Sequence, residues 1–434
     1  MSIKYIKKAS KTSATGEDDT RKIVQEMLDT MRAGGDESAI KYARELDGWD
    51  GEIVVSPEQV AEASAQVSDK LKSDIQFAHE RVRLFAEAQL ASMSEFETEL
   101  SDGLVAGQRL IPINTAGCYV PGGRYAHIAS AIMSVTTAKV AGVPNVIACS
   151  PSGKDRGIHP AIIYTANLCG ADTLLTHGGV QGVAALAYGL FTNHKADILV
   201  GPGNRFVAEA KRILFGQVGI DMFAGPTEIA IIADQSADPE IVACDLVSQV
   251  EHGPDSPAWL VTTSEELAKN SMALMDKYID MLPEPNRTAA ISAWRDYGEV
   301  VLTDTREEAV SVSDEYAPEH LEVHTEDLDW WLATLTNYGS LFLGEETTVS
   351  YGDKSSGPNH ILPTKGAARY TGGLSVGKFI KTVTYQRMTR EANRGVGVAS
   401  SRISRLEGME GHALSGDVRL AKYFPDEEFD LQAT

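Results

Sequence analysis

Apolar residues recur at helical spacing over residues 20–33, where Ile23, Met27 and Met31 fall on one face. A second helical run, 57–90, mixes Ala, Val, Ile and Leu with charges, and 51–56 between them predicts a short extended segment. From Gly117 the rhythm changes. Apolar runs at 146–149, 172–176 and 197–200 predict strands, and 126–141, 159–168, 180–189 and 205–215 predict helices around and between them. Such alternation implies right-handed crossovers and a parallel sheet covered on both faces. It resumes after Gly225 with strand 228–233, helix 239–252, strand 258–262, helix 265–281 and strand 300–302, and continues to Gly344. Asp238-Pro-Glu240 predicts a helix start, with an acidic N-cap and proline in the first turn, and Gly253-Pro254 predicts its stop.

The fold class expected is therefore α/β. Two similarly built α/β domains with mainly parallel sheets face a cleft, flanked by a helical N-terminal arm and a helical C-terminal tail. No repeat is visible at the level of residue identity. After about Gly373 the chain is polar and carries little apolar surface of its own. A tail of that kind packs on something else, and a partner subunit is the expected neighbour.

Length and charge narrow the function. At 434 residues the chain is too long for one ordinary core. A formal net charge of −22 sets it against nucleic acid and anionic membranes, whose phosphates it would repel. No apolar run reaches the roughly 18 residues of a membrane span, and residues 1–20 lack the hydrophobic stretch of a secretory signal. Residues 1–20 are instead expected to be an arm packed on a neighbouring domain or subunit. Cys118, Cys149, Cys169 and Cys244 are scattered without a CxxC pair, which suits buried thiols in a reducing cytoplasm.

Four segments offer chemistry. Gln249 and His252, three apart near a helix C-terminus, present an amide oxygen and an imidazole on one face, as a metal ion requires. Ala317-Pro-Glu319-His320-Leu-Glu pairs an acid with a histidine at a helix-to-strand turn, a general acid/base station. Gly352-Asp353-Lys-Ser-Ser-Gly-Pro-Asn-His360 is a glycine-bounded loop carrying a carboxylate, and Glu407-Gly-Met-Glu-Gly-His412 lies in the polar tail. Singly, each is more ordinary as solvated helix, loop, turn or tail.

Together they are not ordinary. In this order, with Gly117-Cys-Tyr-Val-Pro-Gly-Gly123, Gly178-Gly-Val-Gln181, Gly201-Pro-Gly-Asn204 and Ala224-Gly-Pro-Thr-Glu228, they resemble the histidinol dehydrogenase family from about residue 20 onward. No GxGxxG fingerprint is present, as is usual for that family. The resemblance implies a zinc site from Gln249, His252, Asp353 and His412, the last supplied by the partner chain's tail in a homodimer. It also implies that Glu319 and His320 act as bases, that Tyr119, Gln181 and Asn204 contact NAD, and that Thr227, Glu407 and the metal ligands contact substrate. Thr227 stands where serine is the commoner residue; both bring a hydroxyl. The implied domains are an arm at 1–20, a metal and substrate domain at 21–116 with 227–373, an inserted NAD-binding domain at 117–226, and a dimerisation tail at 374–434.

The implied reaction is a four-electron oxidation of a primary alcohol to a carboxylate through a bound aldehyde. Arg124, His127 and Lys354 add positive or imidazole character beside the motifs, where the histidine-biosynthetic enzymes have other residues. Gly377-Lys-Phe-Ile-Lys381 departs from them as well. Positive charge in so acidic a chain favours an anionic small substrate. These details are similar to the branch of the family that oxidises sulfopropanediol, 2,3-dihydroxypropane-1-sulfonate, to sulfolactate. The alternatives are L-histidinol and, in another class, a catalytically silent binding protein on the same fold.

Overall fold

The structure is a computed structural model that describes residues 3–11, 18–122, 125–153, 157–223 and 225–432. It divides into two units, Met1–Leu90 with Pro112–Phe379, and Ala91–Ile111 with Ile380–Thr434.

The first unit contains two sheets with helices on their faces. One has five parallel strands in the order Thr173–Thr176, Asn145–Ser150, Thr115–Tyr119, Ile198–Val200, Gly219–Ile220. The first strand in sequence lies in the middle, and succeeding strands step outward on one side, then on the other. The second sheet repeats that order with Gly298–Leu302, Ala258–Thr262, Ile229–Ala233, His320–His324 and Ser340–Leu343, again parallel. Strands buried on both faces explain the near-continuous apolar runs, such as Ile229-Ala-Ile-Ile-Ala233, in which all five residues are buried.

The helix Asp18–Tyr42 packs on helices Gly179–Tyr188 and Arg205–Leu214. Its buried stripe is Val24, Leu28 and Met31, with Met27 partly buried beside them. Ile23, expected on that face, is instead 48% exposed, because the stripe follows the 24–28–31 spacing. The long run after Pro57 is two helices, Pro57–Gln66 and Asp69–Ala91. Ser56 and Gln59 close a capping box at the first. The N-terminal arm, expected to be helical, is a strand: Lys4–Lys7 extends the second sheet by pairing antiparallel with Gly298–Leu302. Lysines at both ends of Lys4-Tyr-Ile-Lys7 suit a partly exposed edge.

The second unit has a three-stranded sheet in the order Ile380–Met388, Leu104–Pro112, Phe96–Ser101. The tail is thus not helical throughout. Its two helices, Arg390–Leu406 and Glu410–Tyr423, form a hairpin in which Gly397 faces Leu420 and Gly416 faces Ser401, so small residues allow close approach. Among the described residues no helix is long and apolar enough to cross a membrane.

Candidate active site

In the first sheet, glycine loops follow the carboxyl ends of three strands. Tyr119 ends the central strand, and its hydroxyl accepts a 3.0 Å hydrogen bond from the amide of Gly179. Gln181 is buried on the helix that begins at Gly179, and its amide donates to Asp47 at 2.8 Å. Asn204, exposed, caps the next helix by accepting from the amides of Phe206 and Val207 at 3.0 and 3.2 Å. A Cβ at Gly201 would lie 2.0 Å from the Tyr119 carbonyl oxygen, so only glycine lets these two chain segments approach. The three residues expected to contact NAD therefore stand at a strand end, a helix start and a helix cap near the point where the strand order reverses, the customary crevice of such sheets.

The second sheet places its chemistry at the opposite, amino-terminal ends of its strands. Glu319 and His320 open one strand, just after Ala317, whose φ of 48° lies in the left-handed region and turns the chain out of the preceding helix. The Glu319 carboxylate accepts from Thr227 Oγ1 at 2.7 Å and from the amide of Glu228 at 3.0 Å through the same oxygen, Oε2. His320 Nδ1 lies 3.0 Å from the Glu228 carbonyl and 3.0 Å from the Gln249 amide nitrogen. A carbonyl only accepts, so Nδ1 carries the hydrogen; the amide, whose ends are interchangeable in assignment, adapts to it. In the neutral ring that leaves Nε2 with the lone pair. It has no hydrogen-bond partner among the described residues and stands 3.5 Å from Asp353 Oδ1.

Charge is concentrated here. Burial pushes the Glu319 carboxyl up, against the pull of His320 and the bonds from Thr227 and Glu228. Burial resists a charge on His320, yet Glu319 and then Asp353 outweigh it and raise the imidazole to about 9. Burial would raise Asp353 as well, but the contact and charge of His320, with His360 and Lys354, hold it well below the usual carboxylate range. His320, Phe342, Asp353, Pro358 and His360 are among the residues lining a cavity of about 230 Å³. His360 fixes the loop through Nδ1 at 2.7 Å from the Asp353 carbonyl and Nε2 at 3.3 Å from Ser130 Oγ.

His252 follows the helix Pro239–Val250 and is exposed; Gln249, on that helix, is buried. Lys354 is exposed, with Nζ 3.5 Å from Asp353 Oδ2. His127 is exposed and lowered in pKa, first by loss of water around it, then by Lys354, His252 and His360. Arg124 lies outside the described residues. Glu407 and His412 belong to the second unit, where both are exposed.

A family model, histidinol dehydrogenase, matches residues 10–420. The chain belongs to the histidinol dehydrogenase family. A histidinol dehydrogenase homolog of Pelagibacter ubique is 64% identical over 424 residues, covering 98% of this chain and 99% of that one. Sulfopropanediol 3-dehydrogenase of Ruegeria pomeroyi is 60% identical over 433 residues, covering 100% of both. The crystal structure of histidinol dehydrogenase from Elizabethkingia anophelis superposes with a TM-score of 0.89 at 34% identity, covering 94% of each chain. The protein is an NAD-dependent oxidoreductase acting on CH–OH donors, which sets aside the reading as a silent binding protein.

Several groups that hold this site had no role in the sequence reading. Glu228 is buried, accepts from the Lys365 amide at 2.8 Å, and is raised to about 8 by burial. Asp47 holds Gln181, and a buried Lys211–Asp221 ion pair backs the Gly201 loop, with Lys211 Nζ donating to the Gly201 carbonyl at 3.0 Å and Gly201 N donating to Asp221 at 2.8 Å. The Ala224–Glu228 motif itself carried a signal for Glu228. Asp47 and Lys211 carried none, being distant in sequence from what they hold. Cys118, Cys149 and Cys169 are buried, but Cys244 is exposed, contrary to the expectation of a buried thiol.

Proposed function

We propose that the protein oxidises a sulfonated diol, 2,3-dihydroxypropane-1-sulfonate, to sulfolactate with two NAD molecules and zinc. The observation that carries the reading is the gathering of the Lys354 ammonium with the imidazoles of His127, His252 and His360, each lowered in pKa chiefly by burial, which together offer N–H donors around one positive charge. Such a rim suits an anion. A relative 60% identical along the whole chain bears the name sulfopropanediol 3-dehydrogenase, which supports it.

The donor set fits zinc. One carboxylate, one imidazole and one neutral amide come from Asp353, His252 and Gln249, and the lone pair of His320 Nε2 is left open beside Asp353. His412 of a second copy completes the proposed set, with Glu407 as a further substrate contact. Zinc bound there supplies Lewis acidity that lowers the pKa of the substrate hydroxyl. Exposed Ile403, Leu406, Leu414 and Val418 on the tail hairpin support a homodimer. Residues 117–226, with Tyr119, Gln181 and Asn204, are proposed as the NAD-binding part. Residues 21–116 with 227–373 are proposed as the metal and substrate part, 374–434 as the dimerisation tail and 1–20 as the arm. The cytoplasm is the proposed location.

His320 Nε2 takes the hydroxyl proton as hydride leaves the carbinol carbon for NAD. The aldehyde stays bound. Glu319, held by Thr227 and the Glu228 amide, takes a proton from the water that adds to the aldehyde carbon. A second hydride then leaves for the second NAD. One alcohol, one water and two NAD give one carboxylate, two NADH and three protons.

One observation favours L-histidinol instead: Lys354 stands 3.5 Å from Asp353, so its charge already has an answer. The 34% identical structure is a histidinol dehydrogenase. The deciding experiment measures NADH formed per mole of limiting substrate with the zinc-loaded enzyme. About two from the sulfonate and little from L-histidinol is the expected result. Turnover of histidinol alone returns the protein to histidine biosynthesis. Chelation should abolish turnover, and zinc should restore it.

A further inference from the structure

The strand His320–His324 alternates, so His320, Glu322 and His324 point to one face while Leu321 and Val323 point to the other. Across from that face runs the helix Pro239–Val250, on which Asp245 and Gln249 are one turn apart. Gln249 meets His320 at the amino-terminal end of the strand. Asp245 meets Glu322 and His324 toward the carboxyl end, about 7 Å further along. There each of the three offers one ligand atom, and these atoms all lie within 4.8 Å of one another.

The cluster is built like a coordination shell. Glu322 Oε1 accepts from the amide of Val349 at 2.8 Å, which leaves Oε2 unpartnered. Asp245 Oδ1 accepts from Thr348 Oγ1 at 3.0 Å, which leaves Oδ2 unpartnered. His324 is 1% exposed, and neither ring nitrogen has a hydrogen-bond partner among the described residues; Nε2 approaches Glu322 Oε2 only to 3.5 Å. Each carboxylate is thus oriented through one oxygen while its other oxygen accepts no hydrogen bond, the arrangement that outer hydrogen bonds give to metal ligands. Buried polar atoms left without partners are costly, and here three side chains leave theirs in one place.

We propose that Asp245, Glu322 and His324 bind a second divalent transition-metal ion, behind the catalytic histidine and separate from the zinc set. Two carboxylates and one neutral imidazole neutralise a dication and suit Zn²⁺ or Mn²⁺. Closing the shell needs only modest contraction, since ligands about 2.1 Å from a tetrahedral ion stand about 3.4 Å apart. Asp245 is partly exposed as a residue, while its unpartnered Oδ2 is buried.

The test counts metal in the full-length protein. Wild type, Q249A/H252A, D245N/H324Q and the quadruple variant are each loaded with Zn²⁺ or, separately, Mn²⁺, then desalted. Ions per chain are read by native and elemental mass spectrometry. Q249A/H252A should keep one ion per chain and the quadruple variant none. No ion in Q249A/H252A, or one retained in the quadruple variant, overturns the proposal. Should these variants fail to fold, the count must fall by one from wild type to D245N/H324Q, and an unchanged count overturns it equally. A wild-type count of one that survives in Q249A/H252A would sink the zinc reading of the active site and leave this second site standing.

Discussion

The two parallel sheets share one strand order, third–second–first–fourth–fifth, and use it at opposite ends. The first gathers Tyr119, Gly179 and Gly201 at the carboxyl ends of its strands, where backbone amides and helix starts are available to a pyrophosphate. The second gathers Thr227, Glu319 and His320 at the amino ends of its strands. Its carboxyl side holds Asp245, Glu322 and His324, the last two buried. Topology alone would have placed both sites at the same edge. What differs is the covering helix: on the second sheet, Gln249 near the end of Pro239–Val250 reaches back to the strand starts.

The two edges should differ most at His320. If the amino-end edge carries proton transfer, H320N should lower kcat by about 10²–10⁴ with KM for NAD little changed. A loss under tenfold in steady-state assays would remove His320 from the chemistry. On the first sheet the corresponding weight is structural. K211M leaves Asp221 buried and unpaired, which should cost about 3–5 kcal/mol in denaturant unfolding. A change below about 1 kcal/mol would mean that the ion pair does not hold the Gly201 loop.

The first sheet should also show a proton linkage. His177, fully buried beside Phe191, is lowered by burial from the usual 6.5 to about 4. In the unfolded chain it takes a proton near 6.5; in the fold it does not until about 4. Its contribution is whole above 6.5 and fades as pH falls toward 4, about 3 kcal/mol in all. Stability followed from pH 7 to 4.5 should lose that slope in H177Q; parallel curves for the two proteins would refute the assignment. The smallest effect is expected at Asn204. N204A removes a helix cap worth about 1 kcal/mol, whereas N204S should restore most of it. A higher KM for NAD in N204S would separate cofactor contact from capping.

Much of this was legible in the sequence because its signals are local. Asp238 does cap its helix, accepting from the Glu240 amide at 2.8 Å, and the strand at 258–262 begins and ends as the apolar run predicts. The motifs brought Glu319, His320, Gln249 and Asp353 to one place through a resemblance, where spacing alone would have left four ordinary segments. The strands Phe96–Ser101 and Ile380–Met388 were harder to see. Ile380–Met388 lies beside Leu104–Pro112, nearly three hundred residues away, and Phe96–Ser101, though joined to Leu104–Pro112 by a short turn, has no buried face to mark it. His320-Leu-Glu-Val-His324 misleads in another way. Its alternation reads as a strand with one wet face, yet all five residues are buried because helices cover both sides. The polar face was thus hidden from any reading that equates charge with solvent.

Gly201 has a consequence for how such a protein can change over time. With the Tyr119 carbonyl 2.0 Å from where a side chain would begin, the two chain segments there have no slack. Every single-step replacement at that position must wedge the central pair of strands apart before it can be tried for anything else. The exposed rim residues His127 and Lys354 face no such barrier. Drift is therefore free at these exposed positions and closed where the two strand ends meet, so a lineage can vary the first while the second stays fixed.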